Sequence, residues 1–281
     1  MWQDAGKSAY EAGEWTLALS RCATALRLRT EGRLGGDLVA SSEMALNAAD
    51  ACVTARAAAE HLHRLVLAVS REQSAGAVEF LAGAEPPPHS SVLMSLGPLN
   101  VAGSIPLAVV AGMHRYSGGL DRALEDLAAS GWLSIDGDMV TPTVKATDLL
   151  RARDVRLAEV TARLWPRATS ALRLVTEAVL LAAGTSPGPV FGAFAAIPAS
   201  STPVTLFHRL EALRQHRAEA HAHAWSAEGL DVDGLRALGW ENAVRRRIEA
   251  ATDRVSARAY RNLTASRRGE LLSALRALPG K

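Results

Sequence analysis

The dipeptide Asp136-Gly137 constrains this chain more than any other feature. It stands between two short β-prone runs, Trp132-Leu133-Ser134-Ile135 and Asp138-Met139-Val140-Thr141. Both of its residues tolerate a positive φ, which a tight hairpin loop needs at its centre. A hairpin this short cannot bury itself and must pack on something else. The flanks supply helices. Leu120, Ala123, Leu124 and Leu127 fall on one helical face between Leu120 and Ser130, and Gly131 follows where a left-handed cap would end that helix. Ahead of it, the apolar segment Ile105 to Met113 is separated by a break at Tyr116-Ser117-Gly118-Gly119. Helix, turn, helix and hairpin in that order predict a small winged helix-turn-helix over Ile105 to Arg153.

The rest of the chain reads as helix. The expected fold is therefore mainly α: a multi-helix protein with a central winged helix-turn-helix whose wing is a small β-hairpin. Its boundaries divide 281 residues into an N-terminal helical region at 1–83, a Pro-rich linker at 84–103, the winged element at 104–160 and a C-terminal helical region at 161–281. Near the start, Gly13, Trp15, Ala18 and Ala25 have the spacing of one tetratricopeptide unit, but the second unit fails at Leu46. Leu38 to Ser70 predicts a long alanine-rich helix and Val78 to Ala82 a short one. Glu85-Pro86-Pro87-Pro88-His89-Ser90-Ser91 is the clearest linker. Ala146 to Ala183 predicts helix, broken at Trp165-Pro166; Gly184 to Pro203 is loop-rich. Val204 to Glu228, Val232 to Tyr260 and Ser266 to Leu278 predict the closing helices.

Composition excludes several classes. Hydrophobic residues make up 48% of the chain and aromatics 5%, so the core must be built from Ala, Leu and Val. No apolar run approaches a membrane span, and the start Met1-Trp2-Gln3-Asp4 lacks a basic region leading into an apolar stretch, so a cytoplasmic protein with no membrane partner is expected. Cys22 and Cys52 are too few and too far apart for a disulfide framework or a cysteine zinc site. A net charge of +2 does not by itself demand a polyanion. No Ser-His-Asp order, phosphate loop or GxGxxG pattern supports nucleophilic or nucleotide chemistry, so catalysis stays unassigned and no cofactor is expected.

Two stretches carry functional candidates. In a winged helix the second helix enters the major groove, which makes His114, Arg115 and Arg122 the DNA-binding candidates. They are outnumbered locally: Asp121, Glu125 and Asp126 share the reading helix, and the wing tip Asp136-Gly137-Asp138 is acidic where phosphates would approach. The second stretch is the polar helix Phe207 to Trp225, with His208, Arg214, His216, Arg217, Glu219 and His221 as ligand-binding candidates. At 3.6 residues per turn, Arg214, Arg217 and His221 share one face, while His216, Glu219 and His223 share the opposite one. Two histidines and a carboxylate on one stripe suit a metal only if a second cluster completes it, and none is evident, so no metal site is assigned. Charged groups are too costly to bury alone, so Arg214, Arg217 and His221 are expected to line a semi-buried cavity and to pair with one another or with an anionic ligand. Arg56 followed by His61, with His63 two residues on, has a spacing that resembles the ribonuclease motif of HEPN domains, except that Ala57 stands where a polar residue is usual. The arginine-rich C-terminal region, from Arg245-Arg246-Arg247 through Arg268 to Arg276, reads as a solvated face with pairing to Glu249 and Asp253 at helical spacings.

Leu213-Arg214-Gln215-His216-Arg217-Ala218-Glu219-Ala220-His221, with Phe207-His208 before it and Gly229-Leu230 after, resembles the polar helix of the SalK-like helix-turn-helix family of high-GC bacteria. Leu120 to Arg153, with its Ala-Leu-x-x-Leu-Ala-x-x-Gly-Trp-Leu run, resembles the MarR-type winged element of that family. Glycines of the family pattern are Ala218 and Ala220 here, and the two stretches occur in the opposite order. The resemblance implies a ligand-responsive transcriptional regulator of MarR-like type, homodimeric, with double-stranded DNA and a small molecule as partners. The alternative is a small-molecule-binding protein or enzyme that uses the winged helix only as scaffold.

Overall fold

The structure is a computed structural model and describes residues 36–80, 87–185 and 188–280. The tetratricopeptide-like hairpin expected over Ala5 to Leu26 lies outside the described residues. The first helix, α1 (Gly36–Phe80), is continuous where two helices were expected. Its alanines favour helix, and Ala55, Ala58, Leu62, Leu65 and Val69, spaced three and four apart, are buried along one stripe. Two short helices follow, α2 (Ser90–Ser95) and α3 (Leu99–Ala102), over the stretch expected as a linker. Leu93 and Leu96 from this stretch are fully buried and belong to the main core.

Next come β1 (Ile105–Pro106), α4 (Leu107–Met113), α5 (Leu120–Ala129), β2 (Leu133–Asp136) and β3 (Met139–Pro142). The strands form one antiparallel sheet in the order β1-β3-β2. Gly131 has φ +72° and ends α5 as its sequence position implies. The hairpin departs from expectation in register. Asp136 pairs with Met139, so the loop is Gly137-Asp138, and Gly137 with φ +57° occupies the first central position, where a type II′ turn takes glycine. Ile135 consequently faces Val140 and not Asp138, a shift of pairing by two residues that leaves every side chain on its expected face. β1 was read as the beginning of a helix. Pro106 lacks the N–H that a helix interior needs and sits instead on an edge strand, with Ile105 opposite Val140.

The C-terminal half is helical throughout: α6 (Val144–Leu164), α7 (Thr169–Ala183), α8 (Pro189–Ala195), α9 (Thr202–Ala227), α10 (Val232–Ala237), α11 (Ala243–Ser256), a 3₁₀ turn at Ala257–Ala259, and α12 (Ala265–Ala277). Thr143, Asp231, Asn242 and Thr264 cap α6, α10, α11 and α12 with their side chains. The break at Trp165-Pro166 is fixed because the buried Trp165 ring donates from Nε1 to the carbonyl of Pro279, 2.9 Å away. Val232 to Tyr260, expected as one helix, is divided between α10 and α11, with Gly239 in the gap. The main hydrophobic core runs from Ala49 to Leu278, and Ala224, Leu235 and Ile248 form a second, small cluster. At its centre α9 packs against α1, α6, α7, α8 and α11. Among the described residues no helix is long and apolar enough to cross a membrane.

Candidate functional site

A central helix with polar groups on several faces is stable only if its neighbours satisfy them. α9 meets that demand on the face that carries Arg214, Arg217 and His221. These three side chains line one cleft of about 540 Å³, together with Tyr116 from the turn between α4 and α5, and Arg245 and Glu249 from α11. His63 of α1 and Trp240 complete its rim. The volume falls within the range of about 300–1,000 Å³ in which small-molecule sites lie.

The charges around the cleft form a connected set. Asp253 on α11 is wholly buried and accepts from Arg217 Nη1 at 2.8 Å and from Arg56 Nε at 2.8 Å. Glu249 lies 3.0 Å from Arg245 Nε, 3.5 Å from His221 Nε2 and 3.8 Å from Arg217 Nη2. Burial pushes the Glu249 carboxyl up, but His221, Arg245 and Arg217 reverse this and hold it below the ordinary carboxylate range. On the opposite side, Glu211 accepts from Arg214 through both oxygens, at 2.8 Å from Nε, and from Gln215 Nε2 at 2.9 Å. Burial opposes the charge there too, and Arg214 overcomes it, so the Glu211 carboxyl also stays below its ordinary range. The Tyr116 hydroxyl and His221 Nδ1 share a hydrogen bond of 2.8 Å, and burial raises the phenol above its usual value.

Four guanidinium groups, those of Arg56, Arg214, Arg217 and Arg245, meet three carboxylates, those of Glu211, Glu249 and Asp253. One positive charge is left over. The donors are in surplus as well: Arg214 Nη1 and Arg217 Nη2 make no hydrogen bond among the described residues, and His221 Nε2 is buried without one. Arg245 also lies over the exposed Trp240 ring, 4.5 Å from its centre, which puts an aromatic face at the mouth.

The other candidates lie elsewhere. His216 is buried edge-on to Phe191, and burial and then Arg258 bring its imidazole down to about 4. His208 is half-buried and comes down to about 4, through burial and then Arg153 and Arg209. Glu219 accepts from the backbone N–H groups of Val190 and Phe191, at 2.8 and 3.1 Å, and so caps α8 from a distance. Among the described residues no group of three or more His, Cys, Asp or Glu is placed to hold a metal ion. Of the DNA-binding candidates, His114 is half-buried and bonds Ser95 Oγ at 2.7 Å. Arg115 has its side chain only 11% exposed, turned inward to within 3.9 Å of Glu219. Arg122 is 83% exposed and lies 3.8 Å from Asp126.

Sequence reasoning did not single out Tyr116, Arg245, Glu249 or Trp240 for this site. The pairing of Arg245 with Glu249 was legible from their spacing, but its position opposite α9 was not. His63 lies seven residues after Arg56, two turns on along α1, so these residues share a face; His61 is not in the cleft. Arg268, grouped by sequence with the solvated arginines, is 4% exposed and bonds Asn47, Asp50 and the carbonyl of Leu263. Comparison with protein-family models, with curated proteins and with solved structures finds no match to the chain.

Proposed function

We propose that this protein binds a small anionic molecule in the cleft beside α9, with the carboxylate, phosphate or sulfonate group on Arg214 and Arg217. One observation carries the reading: arginine and histidine donors converge on a half-buried, ligand-sized cavity with more N–H groups than local acceptors. The test is native mass spectrometry of protein taken directly from cells. An acidic small molecule should be present, and it should be lost from an Arg217→Met variant. Ligand-free protein whose melting temperature responds to no anionic compound would reject the reading.

A second reading, a ligand-responsive winged-helix regulator of MarR-like type acting as a cytoplasmic homodimer, is favoured by a separate feature. Tyr116, a wall of the cleft, belongs to the turn that joins the two helices of the helix-turn-helix order. A ligand at His221 would therefore touch the element that would read DNA. A mobility shift on duplex from the protein's own promoter region tests this, with Arg122→Ala as the control because Arg122 is free to reach a phosphate. Affinity and salt slope that are the same in both proteins would remove Arg122 from the reading helix. Indifference of the wild type to DNA and heparin at low salt would leave the unit as scaffold.

A further inference from the structure

Arg214 lines a second cavity on the far side of its pair with Glu211. This inner space of about 230 Å³ lies between α1, α2, α6, α8 and α9. Its wall contains Arg153, whose side chain is 9% exposed. A guanidinium carries five N–H donors, and a buried one calls for acceptors on most of them. The Arg153 guanidinium makes a single hydrogen bond among the described residues, from Nη1 to Asp154 Oδ1 at 3.0 Å. Glu211 is the other carboxylate in the wall, but it accepts from Arg214 and Gln215 and makes no ion pair with Arg153 among the described residues. Desolvation accordingly brings the Arg153 guanidinium below its ordinary range, against the pull of Asp154 and Glu211.

The surroundings fit this underused cation to a particular guest. Gly97 gives the guanidinium its room, since a Cβ there would lie 2.9 Å from Nη1. Phe194, Phe207 and Met94 give the cavity an apolar wall. At about 230 Å³ the space is below the usual size of a drug-like site, which suits a small guest. A planar monoanion matches the guanidinium fork through two parallel hydrogen bonds, whereas a dianion would also face the charge of Glu211.

We propose that the inner cavity is a second binding site, for a short-chain monocarboxylate whose carboxylate pairs with Arg153 and whose alkyl group lies against Phe194 and Phe207. It is separate from the larger cleft in its anion-binding residue, because Arg153 lines only the inner cavity, although Arg214 stands between the two. The full chain is titrated with acetate, propionate and butyrate, by calorimetry and by melting temperature, with propionamide as the uncharged control. The carboxylates should bind and raise the melting temperature, and propionamide should not. Arg153→Gln should weaken binding by about tenfold or more, as the loss of a charge-assisted pair does. Ser91 is exposed and lines the cavity, so Ser91→Trp should close its mouth without touching the charge and abolish the response. Arg217→Met, which leaves Arg153 and the rest of the inner cavity's lining unchanged, should keep the response. A wild type indifferent to all three carboxylates overturns the proposal. So does a response that survives in Arg153→Gln, or in Ser91→Trp if the arginine variant does not fold.

Discussion

Replacing Arg217 with alanine measures how far the charges beside α9 hold the fold together. The side chain donates at 2.8 Å to Asp253, which is 0% exposed and has Arg56 as its other partner. The variant therefore removes one charge-assisted hydrogen bond from a buried carboxylate, a loss of about 1.5–3 kcal/mol. The larger cost of about 3–5 kcal/mol for a buried charge left alone does not apply, because Arg56 remains. The contact of Arg217 with Glu249 at 3.8 Å lacks a hydrogen bond and adds under about 1 kcal/mol. The expected destabilisation is about 2 kcal/mol, against less than about 0.5 for an arginine on a solvated face. Urea denaturation of both proteins reads it, provided the slopes agree. Arg56→Ala, at a side chain that is 57% exposed, should cost less. Together the two changes should cost more than their sum, because only the double variant leaves Asp253 unpaired. A loss under 0.5 kcal/mol for Arg217→Ala, or strict additivity, would refute this account of the network.

Two further predictions use groups outside the cleft. His208 and His216 resist protonation in the folded chain down to about pH 4, whereas an unfolded histidine takes its proton near 6.5. Their contribution is thus complete above about pH 6.5 and is lost as pH falls toward 4, by about 3 kcal/mol for each histidine. A His208→Phe, His216→Phe double variant should show a shallower loss in melts across that window, and an unchanged slope would contradict the assignment. Glu219→Ala should lower stability by about 1–2 kcal/mol and speed amide exchange at Val190 and Phe191, whose N–H groups it bonds. Gly188→Ala should act in the same direction, because its Cβ would run into the Glu219 carboxylate; wild-type exchange in both variants would show that the cap does not hold α8.

What the sequence made legible was whatever depends on near neighbours in the chain. The Leu120 to Leu127 stripe, the Gly131 cap, the break at Trp165-Pro166 and the three-and-four spacing of Arg214, Arg217 and His221 are of this kind. The failures were long-range. Pro106 entered a strand because β3, more than thirty residues later, offers it an edge. The hairpin loop moved one residue along to put Gly137 at the position that needs its φ, a choice the Asp136-Gly137 dipeptide leaves open. Residues 84–103 looked like a spacer because they contain Pro86-Pro87-Pro88, yet Leu93 and Leu96 complete the core. α8 lay hidden in a loop-rich stretch since its cap, Glu219, comes from another helix.

The same distinction explains why the candidate site was half visible. A helix shows its own face, so three of the cleft's side chains were named together. It does not show which residues will come to meet them. Arg56 and Asp253 lie 197 positions apart and Tyr116 and His221 lie 105 apart, so neither pair has a local pattern. Burial of so many charges is tolerable only because each carboxylate has its donors: Arg214 and Gln215 of the same helix for Glu211, and side chains of other helices for Glu249 and Asp253. That arrangement forms on folding, and the cleft's own lining sets Arg214, Arg217 and Arg245 against the single carboxylate of Glu249. An entering anion then need not separate Arg217 from Asp253, because it can take the donors the carboxylates leave unused. The turn before α5 is drawn into the same set by Tyr116, whose hydroxyl reaches His221 while its carbonyl accepts from Arg236 at 2.5 Å. Any ligand that engages His221 must therefore keep the Tyr116 hydrogen bond or replace it. A shift of the turn requires a difference in ligand affinity between those two arrangements, whether or not the helices on either side of it meet DNA.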